Sequence, residues 1–165
     1  MSPVITSRDV LSKALIERLH EYPKSQTSCR TNYTSWQKEL VRASAAILVF
    51  DLPEDLRQEV VNQAKLACPE LHKYQTIHAL YHKMMPNSYI TWHQDHSWKF
   101  GMTIHLNEYW DENFGGYFVF KQNEEIKCLK PEFNHGNYIV TPLDHCVFQT
   151  APDAPARTTI QLFGL

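Results

Sequence analysis

His93, Asp95 and His145 are residue types that hold a metal, and Arg157 is the residue type that best holds a carboxylate. His93-Gln94-Asp95 is a His-x-Asp step. Side chains on a strand alternate with a period of two, so both ligands of that step project the same way. With one remote imidazole, His145, they complete the two-histidine, one-carboxylate face that suits non-haem Fe(II). That face leaves coordination positions open for O₂ and a cosubstrate. Arg157 lies twelve residues past His145 and opens the last expected strand. Its planar guanidinium can grip a carboxylate through paired hydrogen bonds. Thr159, two residues on and on the same strand face, adds a hydroxyl. A positive charge turned into a cavity is costly unless an anion meets it.

This chemistry needs elements that bring positions 93–95, 145 and 157 together. From residue 76 onward the chain reads as eight short strands, bounded by Gly, Pro, Asn and Asp, over 76–84, 88–94, 101–107, 116–121, 125–130, 137–141, 145–150 and 157–163. Eight short strands without intervening helices suggest a jelly roll. His93 and Asp95 fall at the end of the second strand and His145 at the start of the seventh, ends that can meet at one mouth. Strand parity adds a second expectation. Met102, Ile104 and Leu106 share one face, opposite Thr103, His105 and Asn107, and Arg157, Thr159, Gln161 and Phe163 share a face opposite Thr158, Ile160 and Leu162. The polar faces are expected to line an interior cavity, with helices covering the apolar faces outside.

The N-terminal part supplies those helices. Val10, Leu11, Ala14, Leu15 and Leu19 recur at helical spacing, with Ser7 and Asp9 near the start. Residues 24–44 read as a polar connection with some helical character, and 46–50 as a β-prone run. Pro53 suits the first residue of a second helix carrying Leu56, Val60, Val61, Ala64 and Leu66, which Pro69 ends. The expected fold class is mainly β with N-terminal helices, a jelly roll buttressed by helices. It forms one domain over 1–165, with 1–72 as helix-rich support and 73–165 as the catalytic core.

Composition narrows the partners. A formal net charge of -2 offers no bulk attraction to nucleic acid or anionic lipid, and no basic stripe with interleaved aromatics stands out. Nucleic acid and membrane are therefore not expected as partners. The N-terminus lacks the apolar run of a signal peptide and no stretch approaches membrane-spanning length, so the chain reads as cytoplasmic. Cys29, Cys68, Cys128 and Cys146 show no C-x-x-C spacing and read as reduced thiols behaving as small buried hydrophobes. His78 and His82 share a strand face, but no third ligand suggests itself for a second metal. Composition leaves the oligomeric state open.

Residues 89–95 (YITWHQD), 103–107 (TIHLN), 110–116 (WDENFGG), 144–145 (DH) and 157–159 (RTT) occur in that order. On these motifs the chain from Tyr89 onward resembles the Fe(II)/2-oxoglutarate-dependent dioxygenases, especially their prolyl-4-hydroxylase-like branch. The resemblance implies a double-stranded β-helix with iron held by His93, Asp95 and His145. It implies that Arg157 binds the distal carboxylate of 2-oxoglutarate with Thr159 assisting. His105 stands where relatives often carry a tyrosine that reaches the same carboxylate, and Tyr89 is a candidate for the pocket wall. The implied reaction uses O₂, with ascorbate as reductant, to hydroxylate a C–H bond of a prolyl or other peptidyl or amino-acid substrate, releasing succinate and CO₂. Gly115 and Gly116 mark a tight entry into the fourth strand. In the loop beside the iron, Trp98 and Lys99 face either substrate or solvent. Two readings from other classes stand beside this one. One is a cupin-like metal enzyme that does not use 2-oxoglutarate; the other is a non-catalytic jelly-roll binding module.

Overall fold

Alternation of apolar and polar residues builds two sheets in the computed structural model, which describes residues 3–36 and 45–165. The eight expected strands all form, numbered here after three N-terminal ones: β4 (Ile77–Met84), β5 (Ile90–His93), β6 (Phe100–His105), β7 (Phe118–Gln122), β8 (Glu125–Leu129), β9 (Gly136–Val140), β10 (His145–Val147) and β11 (Arg157–Gly164). The N-terminal strands are β1 (Val4–Ser7), β2 (Arg30–Thr31) and β3 (Ile47–Asp51). They join a seven-stranded sheet in the order β1-β9-β6-β11-β4-β3-β2, facing a four-stranded sheet ordered β5-β10-β7-β8. Every pairing in both sheets is antiparallel. This is a mainly β jelly roll with helices at the N-terminal side.

The helices are α1 (Lys13–Glu21), α2 (Asn32–Ser35) and α3 (Glu54–Ala67). The first starts later than Ser7 and Asp9 suggest. Residues 4–7 are taken by pairing with β9, Asp9 turns with a positive φ of 50°, and Ser12 caps the helix by accepting from the Leu15 N–H at 3.3 Å. Pro53 stands one position outside α3 rather than inside it, with extended ψ of 158°. The helix does end before Pro69, which opens a 3₁₀ turn over Pro69–Lys73. Of the expected connection over 24–44, residues 37–44 lie outside the described residues; the described part includes β2 and α2. Residues 1–72 thus add strands to the main sheet as well as helices.

Strand parity decides which face meets the helices. Leu15, Leu19, Val60 and Ala64 from α1 and α3 bury against Ala79, Tyr81, Ile104, Ile160 and Leu162 in one apolar cluster. Each leucine, isoleucine or valine among them contributes about 1.5–3 kcal/mol by leaving water. Tyr81 belongs to this layer, edge-on to Phe50 at 5.9 Å. The opposite parity, Arg157, Thr159, Gln161 and Phe163 on β11 with His78, Leu80, His82 and Met84 on β4, faces a cavity of about 480 Å³ between the sheets. Cys68 and Cys146 are buried as small hydrophobes, whereas Cys29 and Cys128 are exposed, because one lies outside the strands and the other on the edge strand β8.

Candidate metal centre and anion pocket

The pairing of β5 with β10 sets His93 directly opposite His145. Their ring centroids lie 4.1 Å apart. Asp95, just past the end of β5, places Oδ1 3.7 Å from His93 Nε2 and Oδ2 3.6 Å from His145 Nε2. The ligand atoms of these three residues all lie within 4.8 Å of one another, the one group of this kind among the described residues. Each imidazole is oriented from behind. His93 Nδ1 lies 2.8 Å from the Thr91 carbonyl and His145 Nδ1 2.8 Å from the Leu143 carbonyl. With Nδ1–H donating to a carbonyl, the Nε2 lone pair is left to face the common centre. Burial, then the neighbouring His93, holds the His145 pKa below the ordinary imidazole value, against the pull of Asp95. The neutral form that ligates metal is thereby favoured.

Asp144, next to His145 in sequence, turns the other way. It accepts from Gln94 Nε2 at 2.5 Å and from Lys121 Nζ at 3.4 Å. Those contacts, Gln94 first, hold its carboxyl below the usual range. The Gln94–Asp144 bond also joins the segment leaving β5 to the segment entering β10, the two segments that carry the three ligands.

Arg157 opens the far part of the cavity wall. Its side chain is 3% exposed, and burial lowers its pKa to about 10, so it stays charged at neutral pH. Its Nε has no hydrogen-bond partner among the described residues. Thr159 sits across from His82 on β4 and from His105 on β6. The Thr103 hydroxyl donates to Gln161 Oε1 at 2.8 Å, and Gln161 Nε2 donates to Thr159 Oγ1 at 2.9 Å. The Thr159 hydroxyl hydrogen is left to point elsewhere. Among the described residues four buried side-chain atoms lack a partner; two of them, Arg157 Nε and His82 Nε2, belong to residues that line the cavity beside Thr159, and a third, His105 Nδ1, to the residue across from Thr159 on β6. Buried polar atoms are normally satisfied, so the cluster fits a bound anion. The mixed nitrogen and oxygen donors of the triad fit a divalent transition metal such as Fe(II).

Not every expected residue reaches the cavity. Tyr89 lies with Trp92, Cys146 and Phe148 in a separate groove alongside β10, because the turn after β4, with Asn87 at φ 65°, carries it off before β5 begins. His105 is buried but does not line the cavity, and its Nε2 lies 3.3 Å from Asn137 Nδ2. Asn107 falls beyond the end of β6 and clamps the start of β11: its Oδ1 accepts from Thr158 N at 2.8 Å and its Nδ2 donates to Ala156 O at 3.0 Å. Trp98 lines the cavity, stacked on Phe163 at 5.5 Å, whereas Lys99 is exposed outside it. His78 packs on Trp98 and His82 on Trp36 rather than on each other around an ion. Asn137 in the cavity wall was not singled out, since a lone Asn in a strand carries no motif.

Solved structures share this arrangement of strands. No protein-family model matches the chain, and no curated protein does. A prolyl-4-hydroxylase of Pseudomonas putida superposes with a TM-score of 0.74 at 12% identity, over 98% of this chain and 91% of that one. A Trichoplax adhaerens prolyl hydroxylase, solved in complex with a hypoxia inducible factor oxygen degradation domain peptide fragment, gives 0.77 at 13% identity, over 99% and 83%. The fold is that of the 2OG-Fe(II) oxygenases. A Burkholderia pseudomallei oxidoreductase of the 2OG-Fe(II) oxygenase family agrees, with 0.72 at 14% identity over 98% and 84%. In this fold the His93, Asp95 and His145 cluster and Arg157 line opposite sides of one cavity, since the cluster comes from the small sheet and its loops and Arg157 from the large one.

Proposed function

We propose that this chain is an Fe(II)- and 2-oxoglutarate-dependent oxygenase that hydroxylates a C–H bond of a prolyl or other peptidyl or amino-acid substrate, with release of succinate and CO₂. The observation that carries the reading is a three-ligand cluster within 4.8 Å that lines the same cavity as a buried guanidinium with an unpartnered Nε among the described residues. His93, Asp95 and His145 would hold Fe(II), which when bound supplies the O₂ activation that C–H hydroxylation requires. Arg157 and Thr159 would bind the distal carboxylate of 2-oxoglutarate. The wall formed by Trp98 and Phe163 borders the space left for substrate. The peptide bound to the Trichoplax enzyme supports a peptide as substrate here. The chain acts as one unit, residues 1–72 supporting the catalytic core at 73–165. No helix among the described residues is long and apolar enough to cross a membrane.

The test is succinate formation with Fe(II), ascorbate and O₂, with and without a panel of proline-containing peptides and free amino acids. Turnover that depends on 2-oxoglutarate is expected. Arg157→Ala is expected to bind iron as the wild type does and to lose at least tenfold in kcat/KM for 2-oxoglutarate, the scale of a charge-assisted bond. An enzyme of cupin type would keep its activity in that variant. Absence of succinate from the wild-type protein under every condition would overturn the reading.

A further inference from the structure

We infer that His82 is a third donor to the anion held by Arg157 and Thr159, and so helps this site select a 2-oxo acid with a distal carboxylate; the inference rests on the proposed use of 2-oxoglutarate. His82 sits on β4 directly across from Thr159, one inward-facing position from Met84, the cross-strand partner of Arg157. It lines the cavity and is 7% exposed. Its Nε2 has no hydrogen-bond partner among the described residues. Two unpartnered nitrogens, His82 Nε2 and Arg157 Nε, therefore belong to the residues beside one hydroxyl whose oxygen already accepts from Gln161. Leaving both unmet in an enclosed site forfeits the hydration each had in water. One carboxylate offers about four acceptor positions and can meet guanidinium, hydroxyl and imidazole together.

The other imidazole across from Thr159 is placed less well for this task. His105 has Nε2 engaged by Asn137 and lies off the cavity wall. His82 is also held from behind: the Trp36 ring lies 6.1 Å away at an interplanar angle of 42°. A neutral imidazole with its proton on Nε2 suits the position, because a second fixed cation beside Arg157 would be repelled. The donors on β4 and β11 around Thr159 then favour an acceptor-only end group, a carboxylate, over an apolar chain end.

The experiment uses calorimetric titration of the Mn(II)-loaded protein without O₂, with 2-oxoglutarate and with 2-oxopentanoate, which has the same chain length and no distal carboxylate. His82→Phe keeps a ring against Trp36 and removes the donor. It is expected to weaken 2-oxoglutarate binding about 10- to 100-fold, the range for a hydrogen bond to a charged group. Binding of 2-oxopentanoate should change less than about threefold. His82→Gln, which restores an N–H, is expected to recover most of the loss. If His82→Phe does not fold, as judged by its thermal transition, His82→Leu replaces it with the same expectation. Equal weakening for both ligands, or undiminished 2-oxoglutarate binding, overturns the role of His82 and leaves the oxygenase reading standing. No binding of 2-oxoglutarate to the wild-type protein overturns that reading and the inference with it.

Discussion

A guanidinium that is 3% exposed with an unpartnered nitrogen is expensive to bury, and the residues around it share the strain. His82 shows this most directly. Burial first, then the charges of Arg157 and Arg30, lower its pKa to about 3. The unfolded chain takes up a proton near pH 6.5 that the folded chain refuses until much lower pH. His82 therefore has no linkage effect above pH 6.5 and destabilises the fold as pH falls below it, by about 2 kcal/mol between pH 6.5 and 5. His105, also pushed well below its ordinary value by burial and by Arg157, adds to the same trend. Denaturant unfolding measured from pH 7.5 to 5 is expected to show a stability slope that His82→Phe reduces by about one proton. An unchanged slope would mean that His82 takes up its proton in the folded chain as readily as in the unfolded one. Among single residues, His93, Asp95, His145, Arg157 and Thr159 stand out in the sequence because each belongs to a short motif with its own chemistry, and the structure brings all five to one cavity. His82 was legible only as one of a histidine pair, because its meaning comes from a partner on β11.

The turn into β7 is the element on which Arg157 depends. Gly115 and Gly116 both have φ of 66°, a conformation that L side chains rarely adopt. A Cβ on Gly116 would stand 3.1 Å from Arg157 Cδ and 3.0 Å from Thr150 Cγ2. Gly116→Ala is expected to cost about 1–3 kcal/mol of stability through backbone strain and overpacking. By displacing the arginine stem it should also weaken 2-oxoglutarate binding roughly tenfold, the scale of one charged hydrogen bond. Mn(II) affinity should stay the same. Calorimetry with metal and with 2-oxoglutarate separates the two effects, and a parallel loss of metal binding would contradict this account of the turn. At this scale period-two alternation placed all eight strands from 77 to 164. It missed β1, whose residues Val4 to Ser7 become a strand only by pairing with Ile139 to Gly136, far along the chain. That same pairing moved the start of α1 to Ser12.

Across the whole molecule the site is a clasp between two sheets. His93 and His145 stand on the small sheet with Asp95 just beyond it, and Arg157, Thr159 and His82 stand on the large one. A ligand bound only by the folded chain stabilises it by mass action, by about 2.7 kcal/mol at 100 times its Kd. Metal-loaded protein is therefore expected to melt higher than chelated protein, and 2-oxoglutarate to raise the transition further only when metal is present. In Asp95→Ala the metal-dependent rise should vanish while the chelated protein melts no lower than the wild type, since the carboxylate beside two imidazoles is there to meet a cation. Scanning calorimetry with and without chelator is the check.

The sequence by itself determined the strands and the outward apolar faces, and it made His93, Asp95, His145 and Arg157 stand out as candidates, because side-chain alternation and short ligand motifs are local. The tertiary structure alone decided that His105 turns to Asn137, that Tyr89 lies in another groove, and that His82 faces Thr159. Those outcomes depend on cross-strand register and on where a strand ends. Both are set by pairings between segments distant in the chain, and a one-residue change in either sends a side chain to the opposite face.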